Sequence, residues 1–258
     1  MNLKGKRVLV SNDDGINAPG LKVLEKAVKG LGAEVWVSAP ETEQSATGHS
    51  LTIRRPLRIR KVSGKRYAVD GTPTDAVLLG MKQVMTDRQP DLVVSGINRG
   101  GNLGEDVTYS GTVAAAMEGR LLGVPAIAFS LVYDDAIGPR WSTAEHWIGP
   151  VLEKIAGFDV PTSVLLNVNF PDVAPTEVTG IEATRQGYRK IGGDIREAHD
   201  PRGLPYYWIG AQRVEDRFAE GTDLEAVHRG AISITPLSLD FTHKGTAKKL
   251  KKALKERS

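Results

Sequence analysis

Apolar residues in the first part of the chain cluster in short blocks. Arg7-Val8-Leu9-Val10, Glu34-Val35-Trp36-Val37-Ser38, Leu92-Val93-Val94-Ser95 and residues 123–130 are each brief and rich in β-branched side chains. Continuous runs of this kind are the pattern of strands covered on both faces of a parallel sheet. Between the first two blocks, Leu21, Leu24, Ala27, Val28 and Leu31 recur at helical spacing. Pro19 sits where that helix begins, and Gly30 and Gly32 end it. Residues 57–62 alternate, Ser63-Gly64 turns and residues 66–69 return, which predicts a β-hairpin beside the main sheet. Thr72-Pro73-Thr74-Asp75 opens a helix running to Met85, with Thr72 or Thr74 as its cap. Residues 113–118 form helix readily, residues 141–155 read as helical, and Leu165-Leu166-Asn167-Val168-Asn169-Phe170-Pro171 is a further strand. There the alternation stops. Residues 171–221 read as irregular, with Gly192-Gly193, Pro201, Pro205 and an aromatic patch at Tyr206-Tyr207-Trp208, before a late strand at residues 231–235. The succession of strands and helices predicts an α/β fold, a mostly parallel sheet with helices on both faces.

Composition narrows the class. The chain has 258 residues, enough for one large domain with an appendage. The expected division is a catalytic core over 1–171, a segment over 172–243 that completes the fold, and a tail over 244–258. No apolar run approaches the roughly 20 residues of a membrane helix. There is no cysteine, which excludes disulfides, thiolate metal sites and cysteine nucleophiles. Residues 1–7 lead directly into a strand, so the expectation is a cytoplasmic enzyme. The net charge of +3 is unevenly spread, since residues 244–258 carry +6 and the remainder −3. A mildly acidic body argues against a nucleic-acid-binding surface and leaves the tail as a local site for RNA or polyphosphate. Ala247, Leu250 and Leu254 share one helical face in that tail, so it reads equally as a docked or fraying helix.

Candidate chemistry gathers where strands end. Ser11-Asn12-Asp13-Asp14-Gly15 closes the first apolar run and places two adjacent carboxylates at a strand's carboxyl end, where open α/β sheets bind ligands. Such a pair reads either as a site for a hard divalent cation or as plain turn chemistry. The third strand runs into a glycine-rich stretch over residues 96–104, with Asn98 and Asn102 in it. Tyr109-Ser110-Gly111-Thr112 then precedes a helix, which reads as an anion site of free backbone N–H groups or as simple capping. Neither a Walker sequence nor a GxGxxG fingerprint is present. His49 follows Ser45 by four residues, and it either borders the pocket or is an ordinary surface histidine. His146, His199, His228 and His243 lack metal-ligand spacing.

Six ordered motifs together resemble the SurE family, the survival-protein E nucleotidases. They are Val10-Ser11-Asn12-Asp13-Asp14-Gly15, Ala39-Pro40 with Gln44-Ser45, Asp70-Gly71-Thr72-Pro73, Val94-Ser95-Gly96-Ile97-Asn98, Tyr109-Ser110-Gly111-Thr112 and Leu166-Asn167-Val168-Asn169. The resemblance spans residues 7–240 and leaves the basic tail outside. It implies a Rossmann-like sheet and a phosphomonoesterase that hydrolyses nucleoside monophosphates. It implies one divalent cation per subunit, Mg²⁺ or Mn²⁺, held by Asp13, Asp14, Ser45 and Asn98, with Asp13, Asp14 and Asn98 catalytic. The phosphate pocket carries over to Asn102, Ser110, Gly111 and Thr112. A homodimer or homotetramer with exchanged C-terminal segments is also implied. Attack by metal-activated water is then favoured over a nucleophilic Asp13, because a carboxylate committed to a cation is a poorer nucleophile. An exopolyphosphatase or phosphodiesterase, or a nucleotide-binding module without catalysis, are the competing functions.

Overall fold

The structure, a computed structural model, describes residues 3–191, 195–209, 213–215 and 218–255. Gly192 and Gly193 and the last three residues of the tail lie outside these. The chain runs β1 (Arg7–Ser11), α1 (Pro19–Gly30), β2 (Glu34–Pro40), β3 (Ile59–Ser63), β4 (Arg66–Val69), α2 (Pro73–Leu79), β5 (Leu92–Arg99), α3 (Gly111–Leu121), β6 (Ala126–Leu131), α4 (Trp141–Lys154) and β7 (Val164–Phe170). It continues through β8 (Gly180–Ala183), β9 (Arg189–Ile191), β10 (Ile195–His199), β11 (Pro205–Ile209), β12 (Arg213–Glu215), α5 (Asp223–His228), β13 (Ala231–Ser238) and α6 (Lys244–Lys255).

Nine strands form one sheet in the order β3-β4-β2-β1-β5-β6-β7-β13-β8. The six strands from β4 to β7 in that row are parallel. Counted along the chain they stand 3-2-1-4-5-6, the doubly wound Rossmann order. Successive side chains of β1 divide between its faces. Val8 and Val10 pack with Leu21, Leu24, Ile148 and Val151 of α1 and α4. Leu9 packs with Val77 of α2 and Val113 and Ala116 of α3. Both faces of the strand are therefore dry, which is why its residues are continuously apolar.

Strand order reverses between β1 and β5, and the helices that follow these two strands leave to opposite faces of the sheet. A crevice opens between their carboxyl ends. β5 reaches it through a register shift between Ser95 and Asn98 against β6. Gly96 makes the shift feasible: its φ is +122°, and a Cβ there would lie 2.2 Å from the Phe129 carbonyl oxygen.

Three expectations are corrected. The hairpin of β3 and β4 is part of the main sheet, because β4 pairs in parallel with β2 and buries Ala68 and Val69. The helix expected to reach Met85 changes winding after Leu79 and continues as a wider π turn over Gly80–Val84, with the Met85 N–H on the Gly80 carbonyl. Among its described residues, the stretch over 171–221 contains five strands. β8 joins the sheet beside β13, β10 pairs with β11, and β12 pairs with β9. These strands have three to five residues, and β10 and β11 are exposed at almost every position. No buried face imposes an alternating pattern on β10 and β11.

Gly96→Ala combines forbidden backbone geometry with a backbone clash. It is expected to destabilise the protein by at least about 2 kcal/mol, read as a shifted midpoint in urea unfolding.

Candidate active site

At the end of β1 the Asn12 amide donates to the Gly15 carbonyl at 3.0 Å and closes the turn that presents Asp13 and Asp14. The loop after β2 lies against this turn. The N–H of Ile16 donates to the Pro40 carbonyl at 2.8 Å, and the N–H of Gln44 donates to the Asp13 carbonyl at 2.8 Å. These backbone bonds carry Ser45 to the rim. On its far side the loop is fastened to α3, where a ring nitrogen of His49 is 3.0 Å from the buried Glu118 carboxylate.

A cavity of about 360 Å³ fills the crevice. Asp13, Asp14, Ser45, Asn98, Asn102 and Ser110 all line it, so six of the eight anticipated residues meet in one place. Gly111 and Thr112 do not reach its wall. Thr112 is fully buried and its hydroxyl donates to an Asp13 carboxylate oxygen. Gly111 lies behind the same residue, where a Cβ would come 2.6 Å from the Asp13 Cβ. The first turn of α3 thus faces a carboxylate of the protein. Its dipole and a polar hydrogen act on Asp13, as helix N-termini act on anions generally. The Ser110 side chain, meanwhile, accepts the Val113 N–H at 3.0 Å and caps the helix.

Asp13 is buried, and its carboxyl is pushed up to about 7 by that burial and then by the charge of Asp14, with the Thr112 hydroxyl pulling it back. Asp14 is raised too, by burial and by Glu43, against the opposing N–H and charge of Arg99. Two carboxylates that resist ionising together are what a dication relieves. The neighbouring donors fit such an ion. Asn98 spends its amide N–H on the Gly100 carbonyl at 2.8 Å, which leaves its oxygen for the cavity. Ser45 spends its hydroxyl proton on Glu43 at 2.7 Å, which leaves lone pairs. No group of three or more His, Cys, Asp or Glu suited to sharing a metal ion occurs among the described residues. Neutral oxygens would therefore have to complete the shell, and an all-oxygen set of this kind suits Mg²⁺ or Mn²⁺.

Asn102 is held by the strands next door. Its N–H donates to the Asn169 side-chain oxygen at 2.8 Å, and its amide nitrogen donates to Ser130 at 2.7 Å. Its carbonyl accepts from the Asn167 and Asn169 amides at 2.9 and 3.1 Å. Sequence reasoning did not single out Arg99, Asp106, Tyr109, Tyr133 or Glu43 as pocket residues, yet all five line the cavity. The Arg99 guanidinium lies over the Tyr133 ring, 5.1 Å from its centre. Tyr133 follows β6 in the sequence with no motif around it. Asp106 sits in a short turn that only the glycine-rich segment hinted at.

Fold and site define a doubly wound α/β protein with an oxygen-donor pocket at its topological switch point. A family model described as "Survival protein SurE" matches residues 8–193. A "5'-nucleotidase SurE" of Paramagnetospirillum magneticum is 64% identical over 96% of this chain and 95% of its own length. One of the same name from Rhodospirillum rubrum is 56% identical over 93% of each chain. The crystal structure of the SurE protein from Aquifex aeolicus superposes with a TM-score of 0.84 at 44% identity, covering 96% of this chain and 99% of that one. The chain belongs to the SurE family.

The raised Asp13 carboxyl sets a pH dependence for the metal-free protein. A folded value of about 7 lies above the unfolded one of about 4. Protonation therefore favours the fold, a gain present at low pH and lost as pH rises through about 7. With chelator present, the melting temperature should fall over that window, and Asp13→Asn should flatten the fall. At pH 8 the variant should melt a few degrees higher than the parent, equivalent to about 1–2 kcal/mol. An unchanged profile would contradict the assignment.

Proposed function

We propose that this chain is a divalent-metal-dependent phosphomonoesterase that converts nucleoside 5′-monophosphates to nucleoside and phosphate. The observation that carries the reading is the meeting of Asp13, Asp14, Ser45 and Asn98 with Asn102 and Ser110 around one cavity. The names of the relatives point to the same activity.

Asp13, Asp14, Ser45 and Asn98 would hold one Mg²⁺ or Mn²⁺ per subunit. When bound, the cation supplies Lewis-acid polarisation of the phosphoryl group and a more acidic water. Everything else falls to the protein. Thr112 and the start of α3 keep Asp13 aimed and ionisable. The network of Asn167, Asn169 and Ser130 holds Asn102 at the cavity wall, where a phosphate would sit. Such preorganised dipoles meet the charge that gathers on the transferring group without having to reorient. The lack of cysteine and of any described helix long and apolar enough to cross a membrane accords with work in the cytoplasm.

The C-terminal segment supports a homodimer or homotetramer with exchanged segments. The β10–β11 hairpin exposes Ile195, Tyr207, Trp208 and Ile209, each more than 60% accessible. A groove of about 640 Å³, lined in part by Val113, Met117, Leu237 and Phe241, lies open beside α3. Apolar surface of this extent is suited to a second copy of the chain.

A screen of phosphate release from mononucleotides, short oligonucleotides and polyphosphate, with several divalent ions, tests the activity. Chelation should silence it and Mg²⁺ or Mn²⁺ restore it. Asp13→Asn and Asp14→Asn should each cost about a hundredfold or more in kcat while the circular dichroism spectrum is kept. Near-parental turnover of either variant at saturating metal would remove that residue from the site.

The basic tail offers a separate test of the polyphosphate reading. α6 buries none of its residues, and Leu250 and Leu254 remain more than half exposed. Deleting residues 248–258 should leave mononucleotide hydrolysis nearly unchanged. It should raise KM for polyphosphate, an effect that fades at high salt. Equal loss on both substrates, with a change in assembly mass, would assign the tail to subunit contact instead.

A further inference from the structure

The cavity wall carries more negative charge than a cation site requires. Asp13, Asp14, Glu43 and Asp106 all line it, with Arg99 as the single basic residue among the lining groups. A dication there still leaves an excess of negative charge facing an incoming phosphate dianion. Asp106 is the odd member. It is 4% exposed and lies in the short turn Gly104–Thr108 that leads into α3.

Its partner comes from far along the chain. The Arg189 side chain, 10% exposed, places Nε 3.2 Å from an Asp106 carboxylate oxygen. The backbone around Arg189 is fixed to the same turn. The Arg189 N–H donates to the Glu105 carboxylate, and the Gln186 side chain donates to the Gly104 carbonyl at 2.9 Å. Asp223 accepts the Gly104 and Gly187 N–H groups at 2.9 and 2.8 Å, joining the two segments a third time. An arginine held this firmly is a fixed countercharge, and it reaches Asp106 at low exposure, where screening by water is weak.

We propose that Arg189 is a positioning residue which neutralises Asp106 in the pocket wall and thereby sets the balance between cation and phosphate affinity. The proposal rests on the reading of the cavity as a metal and phosphate site. It assigns to the C-terminal segment an electrostatic part in a pocket otherwise built by the parallel sheet. With Arg189 in place, the wall beside Asn102 and Ser110 admits an anion. Without it, a buried carboxylate would repel phosphate and attract cations.

The test is one of sign. Mn²⁺ is titrated calorimetrically into metal-free protein, and inorganic phosphate into protein saturated with Mg²⁺, for the parent, Arg189→Gln, Asp106→Asn and the double variant. Arg189→Gln should weaken phosphate binding at least about threefold and tighten Mn²⁺. Asp106→Asn should do the reverse, because the Arg189 charge then acts on the pocket without the Asp106 carboxylate opposing it. The double variant, a neutral pair of nearly the same shape, should return both affinities to near parental values. A purely structural clasp predicts that both single variants loosen both ligands and that the double variant is no better, and that outcome overturns the proposal. So does an absence of change in folded variants. If the parent releases no phosphate from nucleotides, the functional reading fails, while the titrations still decide the role of Arg189.

Discussion

Holding two carboxylates side by side at the end of a buried strand is the constraint on which the rest of the structure depends. Asp13 is nearly inaccessible and sits next to Asp14, so burial and like charge both oppose its ionisation. The fold answers with the first turn of α3, placed so closely that only glycine fits at position 111, and with the Thr112 hydroxyl. The same helix also holds the loop after β2, through Glu118 and His49. One element therefore fixes both the carboxylate and the loop that brings Ser45. The opposition to ionisation that remains is of the kind a dication relieves.

Around this centre the polar groups are arranged in buried networks anchored on strands. Asn167 and Asn169 stand on β7, and together with Ser130 of β6 they bond the backbone and side chain of Asn102. In a low-dielectric setting such a network is rigid when its members are paired. It turns the glycine-rich segment, which on its own would sample many conformations, into a defined wall. The C-terminal segment fastens the next stretch of that wall through Asp223, Gln186 and Arg189. The geometry of the pocket wall is thus a property of the sheet and of a segment more than eighty residues downstream.

The rest of the C-terminal region contrasts with this. The β10–β11 hairpin and α6 extend from a body whose core does not cover them, and their apolar side chains stay open. Short strands with both faces exposed are not stable alone in water.

The doubly wound class was legible because strands buried on both faces must be continuously apolar, and residues 8–10 and 92–94 are. Asp13, Asp14, Ser45, Asn98 and Ser110 were legible as well, since each belongs to an ordered motif at a strand or loop end, and Asn102 through the glycine-rich stretch that holds it. Sequence could not separate a phosphate-binding helix start from one that serves a neighbouring carboxylate. Gly111 and Thr112 satisfy both patterns, and only the packing of α3 against β1 assigned them to Asp13. The β10–β11 strands left no periodicity because no core constrains their faces. The pairing of Arg189 with Asp106 lay beyond any local pattern, since charge partners distant in sequence are chosen by the path of the chain. Hydrophobic periodicity determined the sheet; the close approach of its ends decided which polar groups would meet.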